Sequence, residues 1–559
     1  MSHPLLLNKM YYSTMSSLDN IRKVLTISLI LVPLSFSPFY SYDPFNIPKF
    51  SSLVIFGSIL LIFIIRQYRE SITEIKRSEI KISILFIFWC YISLVFSGIQ
   101  LTDGLFGIPG RNTGVLTYTF LQVLFISAII VSDKRLSITV IQSLYLVSFL
   151  SFIYGLIQVF KFDPVNWSVP PSAIFSFFGN QNFLSSFISI SIVSGIGFLL
   201  IPLNNSKLRL TAIFYTILSL VFIYFAKSTQ GYLVFAIGFA ASLTIFIYKH
   251  NKYRKYLKFI LLIFVISVIL IAADILQKLP WPSKLYEDSI SARGDFWRAA
   301  IKISIENPVF GTGLDGFGDH YRSTRDLNSL SRGGIDLKTD SAHNLFLDLL
   351  SGGGVPLLLI YLIIILMVLS RSYKYIKNSD KFDPVHTGIF SAWLAYMAQA
   401  LISINQIALA VVGFILAGLL IGYKDKVNEP PKKIIDSNSK KFKFSEVLLG
   451  IVAGLIIAIP PFTLDGEFRN ALTQGNAEKL VDISDNWPMS SNRLSTIGSV
   501  LRTNGYPEYA TLVLRKAIKF NPDHFESWYE LLQCPDISIN EKLAARLNIK
   551  RLDPLRIID

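Results

Sequence analysis

Two cysteines in 559 residues, Cys90 and Cys534, leave no room for a disulfide framework or a thiolate metal site. Charged residues are also scarce, at 16% of the chain against 52% hydrophobic. A soluble domain carries about a quarter charged residues, so most of this chain is solvated by lipid. No spacing of His, Glu and Asp suggests a bound metal, and no Walker loop provides for nucleotide-driven energy coupling. No Ser–His–Asp arrangement stands out. The stretch Gly311-Thr-Gly-Leu-Asp-Gly316 spells G-x-G-x-x-G, but no strand–helix unit surrounds it. Its glycines are expected to shape a turn where backbone approaches a ligand or another helix. No cofactor and no metal are expected.

What the chain does have is long apolar runs. Thirteen windows are long enough to cross a bilayer: 24–41, 50–66, 80–98, 115–132, 137–159, 183–203, 210–226, 231–248, 259–276, 354–370, 386–403, 405–423 and 446–462. The first is no cleaved signal peptide, since no small-residue cleavage site follows it. Lys and Arg alternate with the spans. Every second connection carries several of them, as at Lys249, Lys252, Arg254, Lys255 and Lys258, whereas the short connections between hold one each, from Lys49, Arg111, Lys161 or Lys227. The positive-inside rule then places residues 1–23 in the cytoplasm and the C-terminus outside. The net charge of +15 is an orientation signal facing anionic lipid, and nucleic acid is not needed to explain it. The expected fold is an all-α polytopic membrane protein. It has N-terminal spans in 24–276, a large outer loop at 277–353, C-terminal spans in 354–462 and a polar helical unit at 464–559.

Every polar motif with chemical character falls on the predicted outer side. The large loop holds Arg293 and His343, the first within Arg-Gly-Asp-Phe-Trp and the second within Ser-Ala-His-Asn-Leu-Phe-Leu. Asp340 or Ser341 could cap a helix just before His343, leaving the imidazole in a first turn where the helix dipole disfavours its cation. A neutral imidazole is what a general base needs. The plainer reading is a His that caps or hydrogen-bonds at the interface. Arg293 and Arg111 each sit beside a glycine, with room for a bulky anion that a guanidinium can grip with two bonds. Interfacial Arg also snorkels to lipid headgroups. Lys227 and Gln230 lie in a short outer turn and could contact phosphate or sugar, or simply end a helix. Asn180 and Asn182 supply amides that could bind sugar hydroxyls or simply cap the helix, and Asn344, beside His343, is a candidate substrate contact.

Residues 464–559 change character, with helix-period apolar positions such as Ala517, Ile518, Trp528 and Leu531. Pro488, Pro522 and Pro554 recur at a period near 34, a pattern that resembles tetratricopeptide repeats. An unrelated small helical domain is the alternative. Either would serve as a docking or stabilising module, with a protein partner in view.

Taken together, these motifs resemble the superfamily of O-antigen ligases, O-antigen polymerases and protein O-oligosaccharyltransferases. The residues that carry the resemblance are Arg293-Gly-Asp-Phe-Trp297, Asn307-Pro-Val-Phe-Gly-Thr-Gly313, Phe317, Tyr321, Ser341-Ala-His-Asn-Leu-Phe-Leu347 and Gly354. Gly110-Arg-Asn-Thr-Gly114, Tyr118 and Gly179-Asn-Gln-Asn-Phe183 add to it. The resemblance implies a bacterial inner-membrane glycosyltransferase. Its donor would be a glycan on a polyprenyl diphosphate, its acceptor a hydroxyl on a lipid- or glycan-linked molecule, and its reaction metal-free. His343 would be the base and Arg293 would hold the diphosphate. The family often has a second Arg in a Ser-Arg-Gly turn. Here the turn reads Ser228-Thr-Gln-Gly231, which leaves Lys227 or Arg111 to take its place. Ligase and repeat-unit polymerase share this chemistry. A transporter, bicarbonate carriage included, and an inactive scaffold are the readings from other classes.

Overall fold

Side-chain caps decide where many of the helices begin. In the computed structural model, residues 3–70, 77–167, 173–201, 206–259, 262, 266, 288–327, 329–330, 334–423 and 444–557 are described. The membrane part contains α1 (His3–Leu34), α2 (Asn46–Glu70), α3 (Arg77–Phe96), the short α4 (Leu101–Phe106), α5 (Val115–Val131), α6 (Lys134–Val159), α7 (Gln181–Leu199), α8 (Ser206–Phe225) and α9 (Thr229–Lys249). After α10 (Asp288–Glu306) and α11 (Phe317–Thr324) come α12 (Leu345–Asn378), α13 (Pro384–Ile402), α14 (Ile407–Gly422) and α15 (Phe444–Gln474). Asp133, Asn180, Ser228, Asn344, Asp383 and Gln406 each accept a first-turn N–H, so six of these helices start on a satisfied donor.

Eight helices are long and apolar enough to cross a membrane among the described residues, and three shorter apolar helices accompany them. The protein is an all-helical, multi-pass membrane protein. The expected window 259–276 lies outside the described residues apart from Phe259, Leu262 and Ile266, as do 277–287 of the large loop. The first expected window, 24–41, is corrected. α1 starts well before it and stops at Leu34, one residue past Pro33.

The ends of the bundle differ in charge chemistry. At one end, ion pairs tie neighbouring helices: Arg22 to Asp133, Arg66 to Glu446, and Arg371 to Glu79 at 2.7 Å. The other end, hereafter the site end, gathers the glycine-bearing turns. There the buried Lys49 ammonium donates to the carbonyls of Ser35, Phe45 and Phe177, and Asn46 donates to Gly110 O at 2.7 Å. α15 lies against α2 at close range, because a Cβ at Gly450 or Gly454 would come within 2.6 Å of the Cα of Ile59 or Ile55.

α12 is two helices joined at a kink. Gly354 sits at φ 72°, outside helical space, so the preceding turn is free to meet another segment. Val355 N–H donates to Pro308 O at 2.8 Å, and a Cβ on Gly354 would lie 2.1 Å from Val309 O.

α15 does not stop at the membrane boundary expected at 462. It continues through Pro460 and Pro461 to Gln474, and its last turns enter the core of the C-terminal unit through Leu464, Phe468 and Ala471. That unit adds α16 (Ala477–Ile483), α17 (Ser491–Thr503), α18 (Pro507–Phe520), α19 (Phe525–Leu532) and α20 (Ile539–Leu552). It is clamped to the large loop. Asp553, fully buried, accepts from Arg325 at 2.7 Å and Arg322 at 3.4 Å, and the Arg322 guanidinium lies 4.3 Å from the Phe525 ring centre.

Candidate functional site

The site is built on a backbone clasp. The turn after α10 lies against the first turns of α12: Thr312 N–H donates to Ser351 O at 2.8 Å, and a Cβ on Gly311 would sit 2.5 Å from the Gly352 carbonyl carbon. α3 staples both strands of the clasp. Ser93 Oγ donates toward Phe310 O (2.7 Å) and Gly352 O (3.0 Å), and Trp89 Nε1 donates to Gly353 O at 2.8 Å. Of the G-x-G-x-x-G glycines, Gly311 therefore serves close backbone approach, whereas Gly313 makes room for the Ile99 side chain.

On this base sits a chain of charges. Asp315 accepts from Ile108 N at 3.2 Å, from Thr113 N at 3.0 Å and from the Thr113 hydroxyl, which fixes the loop carrying Arg111. Arg111 is 7% exposed and pairs with Asp340. Asp348 accepts from the Ser341 hydroxyl at 3.0 Å and from Ala342 N at 2.8 Å, and Ser341 Oγ accepts from His343 N at 2.8 Å. Asn112, Asp315 and His343 all have positive φ, at 55°, 65° and 54°. Non-glycine residues held there cost energy that the surrounding contacts must offset, and such strain clusters at functional sites.

The electrostatics favour an uncharged His343. Burial, then the adjacent Arg111 and Arg293, push the imidazole down to about 4, against the opposing pull of Ser341 and Asp340. Its Nδ1 lies 3.3 Å from Ser341 O. A carbonyl only accepts, so Nδ1 carries the proton and Nε2 keeps the lone pair. The Phe296 ring flanks the imidazole at 5.5 Å. Burial would raise the Asp340 carboxyl, but Arg111 outweighs it and holds the group below its ordinary range. Asp315 goes the other way, raised by burial despite Arg111.

The structure thus brings together three of the sequence candidates: His343, Arg111 and Arg293. Asn344 is placed differently. Its side-chain oxygen accepts from Phe346 N and Leu347 N, so it is the N-cap of α12, in place of Asp340 or Ser341, and His343 lies just outside the helix. The remaining candidates form a second group, between the starts of α7 and α9. Asn180 caps α7 through Asn182 N. Asn182 Oδ1 accepts from Ser228 Oγ at 2.8 Å, and Gln230, 5% exposed, donates to Ser186 Oγ at 3.0 Å. Those amides latch two helices together, while Lys227 is exposed beside them at φ 52°. Sequence reasoning missed Asp315 and Asp348, whose only signal was a lone acid beside glycine or within an apolar run. No group of three His, Cys, Asp or Glu side chains suited to a metal is found among the described residues.

Residues 214–362 match a family model described as O-Antigen ligase, a stretch that contains Arg293, His343 and the clasp around Gly354. No curated protein matches the chain.

Proposed function

We propose that this chain, whose residues 214–362 match a family model described as O-Antigen ligase, is a membrane glycan-transferring enzyme that moves a glycan from a polyprenyl diphosphate to an acceptor hydroxyl at the outer face of a bacterial inner membrane. The observation that carries this reading is the buried His343 imidazole at the site end, whose cation is disfavoured by burial and by the guanidiniums of Arg111 and Arg293. The alternation of basic loops supports placing the site end outside, with the N-terminus in the cytoplasm.

In this mechanism the acceptor oxygen attacks the anomeric carbon of the donor glycan. His343 Nε2 takes the proton from that hydroxyl as the new glycosidic bond forms. The bond from the anomeric carbon to the phosphate oxygen breaks, and its electron pair leaves with the lipid diphosphate. Arg293 and Arg111 face the growing negative charge, which buried cations stabilise more in the transition state than in the ground state. Arg111 takes the part of the Arg missing from the Ser228–Gly231 turn, because it is Arg111 whose charge acts on His343. Asp340 holds the Arg111 guanidinium in place before donor arrives.

The test is a chromosomal knockout complemented with wild type, His343→Ala or Arg293→Ala. Surface polysaccharide is scored on a gel and polyprenyl-linked glycan in membrane extracts. Both variants are expected to express, lose surface glycan and accumulate lipid-linked donor. Full-length chains on the lipid indicate ligation, and single repeat units indicate polymerisation. Full complementation by both variants sinks the glycosyl-transfer reading.

A further inference from the structure

A cavity of about 570 Å³ lies between the C-terminal unit and the loops of the site end. Its volume is that of a small-molecule site, which typically runs from about 300 to 1,000 Å³. One wall belongs to the membrane part, with Asp103 and Asp340. The other belongs to the C-terminal unit, with Asn492 and Thr496 on α17. Asp340 is also the partner of Arg111, so the cavity and the cluster around His343 share this carboxylate.

The lining chemistry is specific. Asp103 accepts from Ser491 N at 3.2 Å and Ser491 Oγ at 2.8 Å with one carboxylate oxygen. Asp103 is only 4% exposed, and the Ser490 hydroxyl beside it acts on the same carboxylate. The walls carry carboxylates at Asp319 and Asp340 together with the Asn492 amide and the Thr496 hydroxyl, a mix of acceptors and donors that suits a group able to do both, which is a hydroxyl. Carboxylates outnumber cations along the walls, and Arg493 is occupied by Asp465 at 3.6 Å. An anionic ligand is therefore disfavoured. At the rim, Tyr42 and Phe468 pack edge to face at 4.8 Å and offer an apolar platform.

We propose that this cavity is the acceptor subsite and that it takes a neutral or amino-bearing saccharide, with the C-terminal unit forming one wall of the site. The inference rests on the glycosyl-transfer reading above. The C-terminal unit then acts on the acceptor itself, and its clamp through Asp553 holds that wall in register with Asp340.

Bulk placed in the cavity should block the acceptor and spare the donor. Asn492→Trp, Thr496→Trp, the control Lys542→Trp on the exposed face of α20, and His343→Ala are each expressed in the knockout. The two cavity variants should lower surface glycan by about tenfold or more, while Lys542→Trp stays at the wild-type level. Lipid-linked donor should co-purify with the cavity variants as with wild type. Thr496→Cys guards against misfolding. The two native cysteines are buried, so this thiol can be labelled in isolated membranes. Unlabelled Thr496→Cys should transfer glycan normally, and attachment of a bulky maleimide should abolish transfer. Normal surface glycan in both Trp variants, with His343→Ala inactive, overturns the acceptor subsite and leaves the glycosyl-transfer reading standing. Loss of bound donor in the cavity variants also overturns it, by making the cavity a donor site. If His343→Ala also keeps surface glycan, the glycosyl-transfer reading itself fails, and this inference falls with it.

Discussion

Replacing Asp553 by Ala should release the C-terminal unit from the large loop. The carboxylate is fully buried, and the side chains facing it are nearly so: Arg325 is 1% exposed and Arg322 is 7% exposed. The same guanidiniums donate to Ile335 O and Leu337 O, so the segment leading to Asp340 and His343 hangs on them as well. Removing one partner of a buried ion pair leaves uncompensated charge, at a cost of about 3–5 kcal/mol. Arg322 keeps Glu526 at 3.3 Å, so Arg325 is the guanidinium that loses its carboxylate, which points to the lower part of that range. For a helical unit of this size, such a loss lowers its melting temperature by roughly 10 °C or more. Thermal unfolding in detergent, read together with protease cleavage in the C-terminal unit, measures this. The control is the triple variant Asp553→Leu, Arg322→Met, Arg325→Met, which replaces the ionic cluster by apolar groups and should regain most of the stability. The reasoning is refuted if Asp553→Ala melts within about 2 °C of wild type and resists protease equally well.

Other outcomes follow from the site. An ordinary His would lose its base function as pH falls through about 6.5. His343 is held down to about 4, so it protonates only on the far acid side, and glycan transfer in membranes should stay flat from neutral pH to about 5. Half-loss near 6.5 would contradict this. Because a bound diphosphate offsets the two guanidinium charges, the acid limb at saturating donor should lie at higher pH than the limb at low donor. Gly354→Ala forces an L side chain into φ 72° and onto Val309 O, a strain of about 1–3 kcal/mol before the clash is counted. It should lower both melting temperature and surface glycan, and wild-type values for the two would refute the kink argument. Asn344→Ala removes a cap at about 1 kcal/mol. It should keep measurable transfer, and Asn344→Asp should restore it. A complete loss matching His343→Ala, unrelieved in Asn344→Asp, would make Asn344 a substrate contact.

How far the site was legible depended on what each residue had to do. Helices that must shed water from every face advertise themselves as apolar runs, so twelve of the thirteen expected windows meet a helix among the described residues, and the other lies mostly outside them. The motifs at 293–297, 307–313 and 341–347 were visible because Arg, His and clustered Gly are rare in such a chain. Their reasons were not visible. That Gly311 and Gly354 exist to let one backbone touch another emerges only when residues about forty apart in sequence meet across the clasp. Asn180 was open to two readings, sugar contact or cap, and the cap made by Asn344 was not foreseen, because an amide that caps a helix and an amide that binds a hydroxyl read the same until the helix start is known.

Composition and periodicity alone determined the helical class, the apolar spans and the alternation of basic connections between them, since each follows from how single segments partition between lipid and water. The tertiary structure alone decided the rest. It paired Arg111 with Asp340, set Nε2 of His343 as the lone-pair nitrogen, ran α15 unbroken into the C-terminal unit and locked that unit down through Asp553. Those outcomes depend on burial and on charges brought within a few ångströms from distant parts of the chain, and a one-dimensional pattern holds neither distance nor depth.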